Sequence, residues 1–426
     1  MFKVLVIAYY FPPMGLSGVQ RTLKFVKYMK KYNWEPTVLT TGGTGYFAHD
    51  LTLMQECEDA GIRVVRTEGL DPYSMLSKYK TIKLPPEWLR KFLSRLSKTF
   101  IIPDNKIFWS RKAYTVAKEL LEKEKFDIIF VTIPPFSAFS MASRLSREFD
   151  ISLFVDYRDL WSGNQFEFNL TPIHRYIHKK MEYKALKIAD KVVAVNRKVK
   201  EKLINTFPFL TFEDVIILPH GYDEEDFLDV KPVPKENTKL RLTHAGIFYE
   251  YITPKYLLKA FKKLSEERPD IAQNIELVFL GHLRKENINL IEKLGLQQYV
   301  KNLGYLDHKE TIKRIISSDV LWLMIGKKHS ADAHTPGKLF EYFGTRKPVL
   351  ACLPEGAAKM AAQEYGASFI TEPDNIEQIK EMLLKIHSLY RAGQLPTPNE
   401  EFIQKHRREL FTEQLTKSFQ FYLRAL

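Results

Sequence analysis

MFKVLVIAYYFPPMGLSGVQRTLKFVKYMKKYNWEPTVLT, residues 1–40, holds three pieces in a fixed order. A continuous apolar run, Lys3–Ala8, is followed by a turn, an amphipathic stretch over Ser17–Lys31 and a second apolar run, Thr37–Thr40. Short runs with no polar alternation fit strands covered on both faces, as in a parallel sheet; the stretch between them has helical spacing. The unit therefore reads as strand, helix, strand. A secretory signal shares only the apolar run: there is no basic region beyond Lys3 and no small-residue cleavage site, and Pro12-Pro13 and a glycine-bearing turn follow.

The same grammar continues outward. Further strands are expected at Arg63–Arg66, Asp127–Ile133, Leu153–Asp156 and Lys191–Val195, with helices at Arg111–Lys125 and His174–Ala189. Beyond a charged stretch carrying Pro232 and Pro234 it begins again, with strands at Lys239–Ala245, Glu276–Gly281, Asp319–Leu323, Pro348–Cys352 and Ser368–Ile370. Helices are expected between them at Pro254–Glu267, Lys309–Ser317 and Gly337–Phe343. Such alternation predicts an α/β chain of two Rossmann-like, doubly wound domains. The expected boundaries are 1–226 for the first domain, 227–238 for a linker, 239–399 for the second domain and 400–426 for a long C-terminal helix packing back toward the first. Ligands of such sheets bind beyond the carboxyl ends of the strands, and a helix N-terminus there suits an anion.

Bulk properties narrow the setting. The 426 residues exceed one ordinary core, and 27% charged with 45% hydrophobic content excludes a disordered chain. A net charge of +13 suggests an anionic partner, but no recognition motif with interleaved stacking aromatics accompanies it, so no nucleic-acid partner is expected. Two distant cysteines, Cys57 and Cys352, point to a reducing, cytoplasmic compartment. No apolar run reaches a membrane span, and no His, Cys or carboxylate cluster has metal-ligand spacing; neither metal nor cofactor is expected.

Three segments carry chemistry. In the first turn, Gly15 and Gly18 allow close approach of backbone to a ligand, and Ser17 is placed to cap the helix; the spacing is not a dinucleotide fingerprint. Asp156-Tyr-Arg-Asp159 follows an apolar strand, where Arg158 suits a donor phosphate or a structural pairing. The most informative is His334-Thr-Pro-Gly-Lys-Leu-Phe-Glu341. Thr335 as N-cap, Pro336 in the first turn, Gly337 and Lys338 would gather amide hydrogens and one ammonium around a diphosphate. His334 and Lys338, with Arg158, are the candidates for catalysis.

The opening turn, Asp156-Tyr-Arg-Asp-Leu-Trp161, Leu218-Pro-His-Gly-Tyr-Asp223, Thr243-His-Ala-Gly-Ile247, Leu303-Gly-Tyr-Leu-Asp-His308 and Gly337–Gly344 occur in an order that resembles family 4 glycosyltransferases of the GT-B fold, of the bacterial cell-surface polysaccharide type. His220 stands where asparagine is usual in the third of these. The resemblance implies a retaining, metal-independent hexosyltransferase that moves a sugar from a nucleotide sugar, UDP first and GDP next, to a glycan or lipid-linked acceptor. It implies that Gly246 turns beside the donor and that Glu341 bonds the ribose. Glu341 matches the second of two family glutamates eight positions apart; the first, which contacts the sugar, would fall at 333, which is Ala333, and Asp332 or His334 is left to substitute. The basic pair often found near Gly246 is missing, leaving Lys327 and Lys328 as stand-ins or as surface lysines; His244 reads as a packed histidine. Two alternatives stay open: a nucleotide-sugar epimerase of the same fold, and a non-catalytic protein that has lost donor chemistry.

Residues 75–125 hold 13 Lys and Arg against 5 Asp and Glu. Within them Trp88, Leu89, Phe92, Leu93, Leu96 and Phe100 share one helical arc, with Arg90, Lys91, Arg95 and Lys98 opposite. Such a helix over 88–100 fits an anionic membrane surface, or packs on its own domain. Peripheral association with the inner membrane face is the expectation.

Overall fold

The computed structural model describes residues 1–43, 48–67, 87–164, 170–249 and 251–425; of 87–92 and 424–425 only the backbone is described. Among the residues named above, the side chains of Trp88, Leu89, Arg90, Lys91 and Phe92 lie outside it. The chain divides into two compact units, one of Met1–His220 with Arg408–Leu426, the other of Gly221–Arg407.

In the first unit the chain runs β1 (Phe2–Ile7), α1 (Ser17–Met29), β2 (Trp34–Thr41), α2 (Leu51–Asp59), β3 (Arg63–Thr67), α3 (Glu87–Phe100) and α4 (Ile107–Lys123). It continues through β4 (Ile128–Ile133), α5 (Phe136–Phe149), β5 (Ser152–Tyr157), α6 (Pro172–Leu186), β6 (Lys191–Ala194), α7 (Arg197–Thr206) and β7 (Val215–Ile217). The seven strands are all parallel and lie in the order β3-β2-β1-β4-β5-β6-β7. Val4 to Ile7 and five of the six residues of β4 are fully buried hydrophobics, which is why these strands are apolar without alternation.

In the second unit the order is β8 (Leu240–Ala245), α8 (Lys255–Glu267), α9 (Pro269–Ala272), β9 (Ile275–Leu280), α10 (Lys285–Lys293), β10 (Val300–Asn302) and α11 (His308–Ile316). Then come β11 (Val320–Met324), α12 (Gly337–Gly344), β12 (Val349–Cys352), α13 (Ala357–Tyr365), β13 (Ser368–Thr371), α14 (Ile376–Arg391) and α15 (Glu400–Lys405). Its six parallel strands lie in the order β10-β9-β8-β11-β12-β13. Numbered within their own unit, both sheets start 3-2-1-4-5-6, so each reverses direction between its first and fourth strands. Successive residues of β9 and β11 feed opposite cores: Leu277, Phe279, Val320 and Trp322 one, Val278, Leu280, Leu321 and Leu323 the other.

Two α/β sheets were expected, and the inner strands fall where the apolar runs place them. The two edge strands β7 and β10 were not anticipated; each has three residues, and β10 is largely exposed, so neither leaves a run to read. The C-terminal segment was expected as one helix. It is two, α15 and α16 (Arg408–Ala425), because the His406 carbonyl accepts from the Tyr222 amide at 3.0 Å and Arg407 bridges Tyr222. α16 belongs to the first unit. There Phe419, fully buried, meets the rings of Trp34, Phe130 and Phe154 with centroids 5.1, 5.8 and 4.7 Å away.

Candidate functional site

In the second unit three glycines follow three adjacent strands. Gly246 ends β8 with φ at 139°, Gly281 ends β9 with φ at 126°, and Gly304 follows β10. A side chain at Gly281 would place Cβ 2.4 Å from the Gly246 carbonyl, and the Gly281 amide bonds the Gly304 carbonyl at 2.6 Å. Backbone therefore stacks on backbone at the carboxyl edge, beside the reversal point, and only glycine fits there.

α12 is fixed against this edge. The Tyr342 hydroxyl accepts from the Ala245 amide at 2.7 Å, tying the helix to the last residue of β8. Residue 335 was expected to cap α12; the N-cap is Pro336, and no side chain caps the helix. A proline there has no amide and no side-chain oxygen to offer. The amides of Gly337 and Lys338 stand in the first turn, where a helix has no carbonyl of its own for them.

Lys338 comes forward from that turn onto Gly246: a Cβ on Gly246 would sit 2.0 Å from Lys338 Nζ and 3.7 Å from His244 Nε2. Lys338 makes no hydrogen bond or ion pair among the described residues, and burial pushes its ammonium down to about 8, against a partial pull upward from Glu341. His244 is buried, stacked on Phe248 with centroids 4.4 Å apart. Its Nδ1 lies 3.0 Å from the Trp322 carbonyl, which can only accept, so Nδ1 carries the hydrogen. Burial first, and Lys338 second, hold the ring well below its ordinary range, hence neutral. Nε2 is then a buried lone pair with no partner among the described residues. His244 thus packs, as expected, and also aims an acceptor at the glycine edge, which the sequence did not reveal.

Glu341 lies one turn beyond Lys338 on the same helix face. His308 Nε2 approaches its Oε1 at 3.0 Å, with Asp226 Oδ2 3.9 Å from the same nitrogen. His334 lies with its ring 6.4 Å from that of Tyr251. Ala333, buried, closes a short turn whose neighbour Asp332 packs its backbone on Gly356, 2.4 Å from where a Cβ would stand. Lys327 pairs with Glu372 and Asp374, and Lys328 lies over the Tyr251 ring at 5.4 Å.

The glycine edge, the helix start and an ammonium without a counter-ion among the described residues have the chemistry that suits a phosphorylated ligand. The profile described as Glycosyltransferase Family 4 matches residues 17–226, and that described as Glycosyl transferases group 1 matches residues 226–401. The chain is a family 4-like glycosyltransferase of the GT-B fold.

Solved structures show the same fold. Sucrose-phosphate synthase from Thermosynechococcus elongatus is similar over 100% of both chains, with a TM-score of 0.70 at 12% identity. The Anabaena protein HepE, solved in complex with UDP, aligns over 99% of this chain and 100% of its own, at 0.62 and 14%. A Listeria monocytogenes protein described as a putative UDP-N-acetylglucosamine 2-epimerase aligns over 100% and 97%, at 0.58 and 14%. No curated protein matches in sequence.

In the first unit of this glycosyltransferase the sequence-selected residues have other company. Ser17 was expected to cap α1; the N-cap is Leu16, at φ 79°, with no side-chain cap. The positive φ thus falls on Leu16, next to Gly15, whose amide bonds the Ala48 carbonyl at 2.7 Å. Gly18 is required for a different reason: a Cβ there would lie 2.7 Å from Arg158 Nη1. Arg158 donates to the carbonyls of Gly18 at 2.7 Å, Pro134 at 2.5 Å and Ile133 at 3.3 Å, a lock on the turns after β1 and β4. Asp156 pairs not with its neighbour Arg158 but with Arg21 of α1, through contacts of 2.8–3.2 Å, both buried. Arg21 also donates to the Leu218 and Pro219 carbonyls, so the pair fixes the Leu218–His220 turn.

Proposed function

We propose that this glycosyltransferase takes its sugar from a nucleoside diphosphate sugar, UDP first, with retention of anomeric configuration and without a metal. The observation that carries the reading is Lys338: a half-buried ammonium lacking a counter-ion among the described residues, held at a helix start against a glycine. Such a charge is costly until an anion joins it. With the Gly337 and Lys338 amides it would meet the departing diphosphate as negative charge develops, and the neutral His244 would accept a hydrogen bond from the ligand or from the ammonium. Glu341 would accept from the ribose hydroxyls. The acceptor hydroxyl attacks the anomeric carbon, the bond to the diphosphate breaks, and the departing phosphate oxygen takes the hydroxyl proton. Trapping of a glycosyl-enzyme adduct would refute that course, and a rate that falls on chelation would refute metal independence. Arg158, engaged by three carbonyls, supports the first unit's turns.

Thermal stabilisation by nucleotides and nucleotide sugars, measured for wild type and Glu341→Ala, tests the reading. A ligand at 100 times its Kd stabilises by about 2.7 kcal/mol. Stabilisation of the wild type alone is expected; no response from a folded protein would leave a GT-B protein without donor chemistry. Turnover to an epimer in the absence of acceptor would replace transfer by epimerisation.

The proposed acceptor is a glycan or lipid-linked sugar for cell-surface polysaccharide, reached at the inner face of an anionic membrane. α3 supports this by forming over Glu87–Phe100 and leaving Leu93, Leu96 and Phe100 exposed. His174 at the start of α6 bonds the Thr99 carbonyl at 3.1 Å, and α6 adds exposed Ile173 and Tyr176 among Arg175, Lys179 and Lys180. Its one acid, Glu182, is buried against Tyr157 and Ser162. Among the described residues no helix is long and apolar enough to cross a bilayer. Failure to bind anionic vesicles at low salt would refute the membrane assignment.

A further inference from the structure

We infer that His308 is a positioning residue for the donor site: it holds Glu341 in the orientation that receives the ribose. The inference rests on the assignment of Glu341 to the ribose, and names a residue that assignment does not require.

The geometry is local and specific. Asp307 caps α11 by accepting from the Glu310 amide at 2.8 Å, which fixes the backbone of His308 at the first helical position. His308 is 8% exposed. Its Nε2 lies 3.0 Å from Glu341 Oε1; a carboxylate accepts, so Nε2 carries the hydrogen. Asp226, in the turn capped by Asp223, stands 3.9 Å from the same nitrogen and biases the ring toward carboxylates. Glu341 has three side-chain torsions to immobilise, and a ligand meeting a loose carboxylate must order it. With Oε1 engaged by His308, the carboxylate plane is set before a nucleotide arrives. The segment from Gly304 to His308 also links two parts of the site, since Gly304 accepts from Gly281 at the glycine edge and His308 reaches the helix that carries Lys338. Histidine suits the place because Nε2 stands far from the backbone on a planar ring with two torsions; glutamine reaches almost as far and keeps a donor.

The test is the dissociation constant of UDP and of 2′,3′-dideoxy-UDP, with GDP and its dideoxy form run alongside, for full-length wild type, Glu341→Ala, His308→Ala, His308→Gln and the double alanine variant. Melting curves confirm folding. His308→Ala is expected to weaken the hydroxylated nucleotide about tenfold, as for loss of a hydrogen bond to a charged group, and to leave the dideoxy nucleotide unchanged. His308→Gln is expected to restore most of the loss, and the double variant to be no weaker than Glu341→Ala. Equal losses for both nucleotides, or an unaffected His308→Ala beside a weakened Glu341→Ala, would overturn the positioning role alone. An unaffected Glu341→Ala would overturn the ribose assignment and the positioning role with it. Should His308→Ala fail to fold, His308→Gln and His308→Leu decide: the first retaining ribose discrimination and the second losing it supports the role, and identical behaviour overturns it.

Discussion

The two sheets begin with the same strand order, and at the reversal point of each a basic side chain presses on a glycine. In the first unit Arg158 crowds Gly18; in the second Lys338 crowds Gly246. Burial lowers the pKa of both, but their bonding is opposite. Arg158 has given its donors to three backbone carbonyls and serves as part of the scaffold. Lys338 has none of these bonds and its charge is held at a loss. The same topological position is therefore closed by the protein in one unit and, on the proposed function, left for a ligand in the other. A basic residue beside a glycine does not by itself mark a phosphate site; what its donors already touch decides.

Exchanging each cation for a neutral side chain tests that contrast most strongly. Lys338→Met is expected to lower kcat/KM about 10²- to 10³-fold, the range for loss of one stabiliser of a leaving anion, while the ligand-free melting temperature stays or rises. Arg158→Met is expected to do the reverse in kind: destabilisation by about 2–4 kcal/mol in denaturant unfolding, from carbonyls left without donors. A destabilised Lys338→Met would erase the distinction. Next in size is a pH effect. A bound diphosphate favours the charged ammonium and so raises the Lys338 pKa above about 8. Affinity for UDP should be flat below pH 8 and fall by about tenfold from pH 8 to 9 and a little beyond. In the ligand-free protein the sign is opposite: above pH 8 the unfolded chain holds the lysine proton that the folded one has lost, so the penalty on the fold is full below pH 8 and is relieved progressively as pH rises from 8 toward the ordinary lysine value. Titration calorimetry at several pH values reads the first, and Lys338→Met should flatten it. The smallest expected effect is at Gly18→Ala, about 1 kcal/mol of stability, as Arg158 Nη1 is displaced from a full set of bonds.

Much of this was legible. Buried parallel strands advertise themselves as apolar runs, and Gly337–Glu341 showed helix start, ammonium and carboxylate at helical spacing. What failed was whatever depends on a partner from elsewhere. Ser17 and Thr335 have capping chemistry, yet the caps fall on Leu16 and Pro336, because tertiary placement sets where the helix begins. Arg21 finds Asp156 across 135 residues, and no local pattern reports it. His308 and Glu341 are 33 residues apart on different helices. Nothing in the sequence marks Tyr342 as the residue whose hydroxyl anchors α12 to β8. That Lys338 has no hydrogen-bond or ion-pair partner among the described residues is likewise a fact about its surroundings.

The return of α16 to the first unit has a consequence for descent. The polypeptide passes from one unit to the other twice, between residues 220 and 221 and again between 407 and 408. A single genetic crossover near residue 220 would give a chimera whose first unit receives a foreign last helix, with the pocket for Phe419 between Trp34 and Phe154 filled by whatever that parent encodes. Viable exchange of the donor half between relatives requires either two crossovers or co-inheritance of the tail with the sheet it covers. The last eighteen residues of helix are thus expected to track the first half of the gene rather than the half they follow.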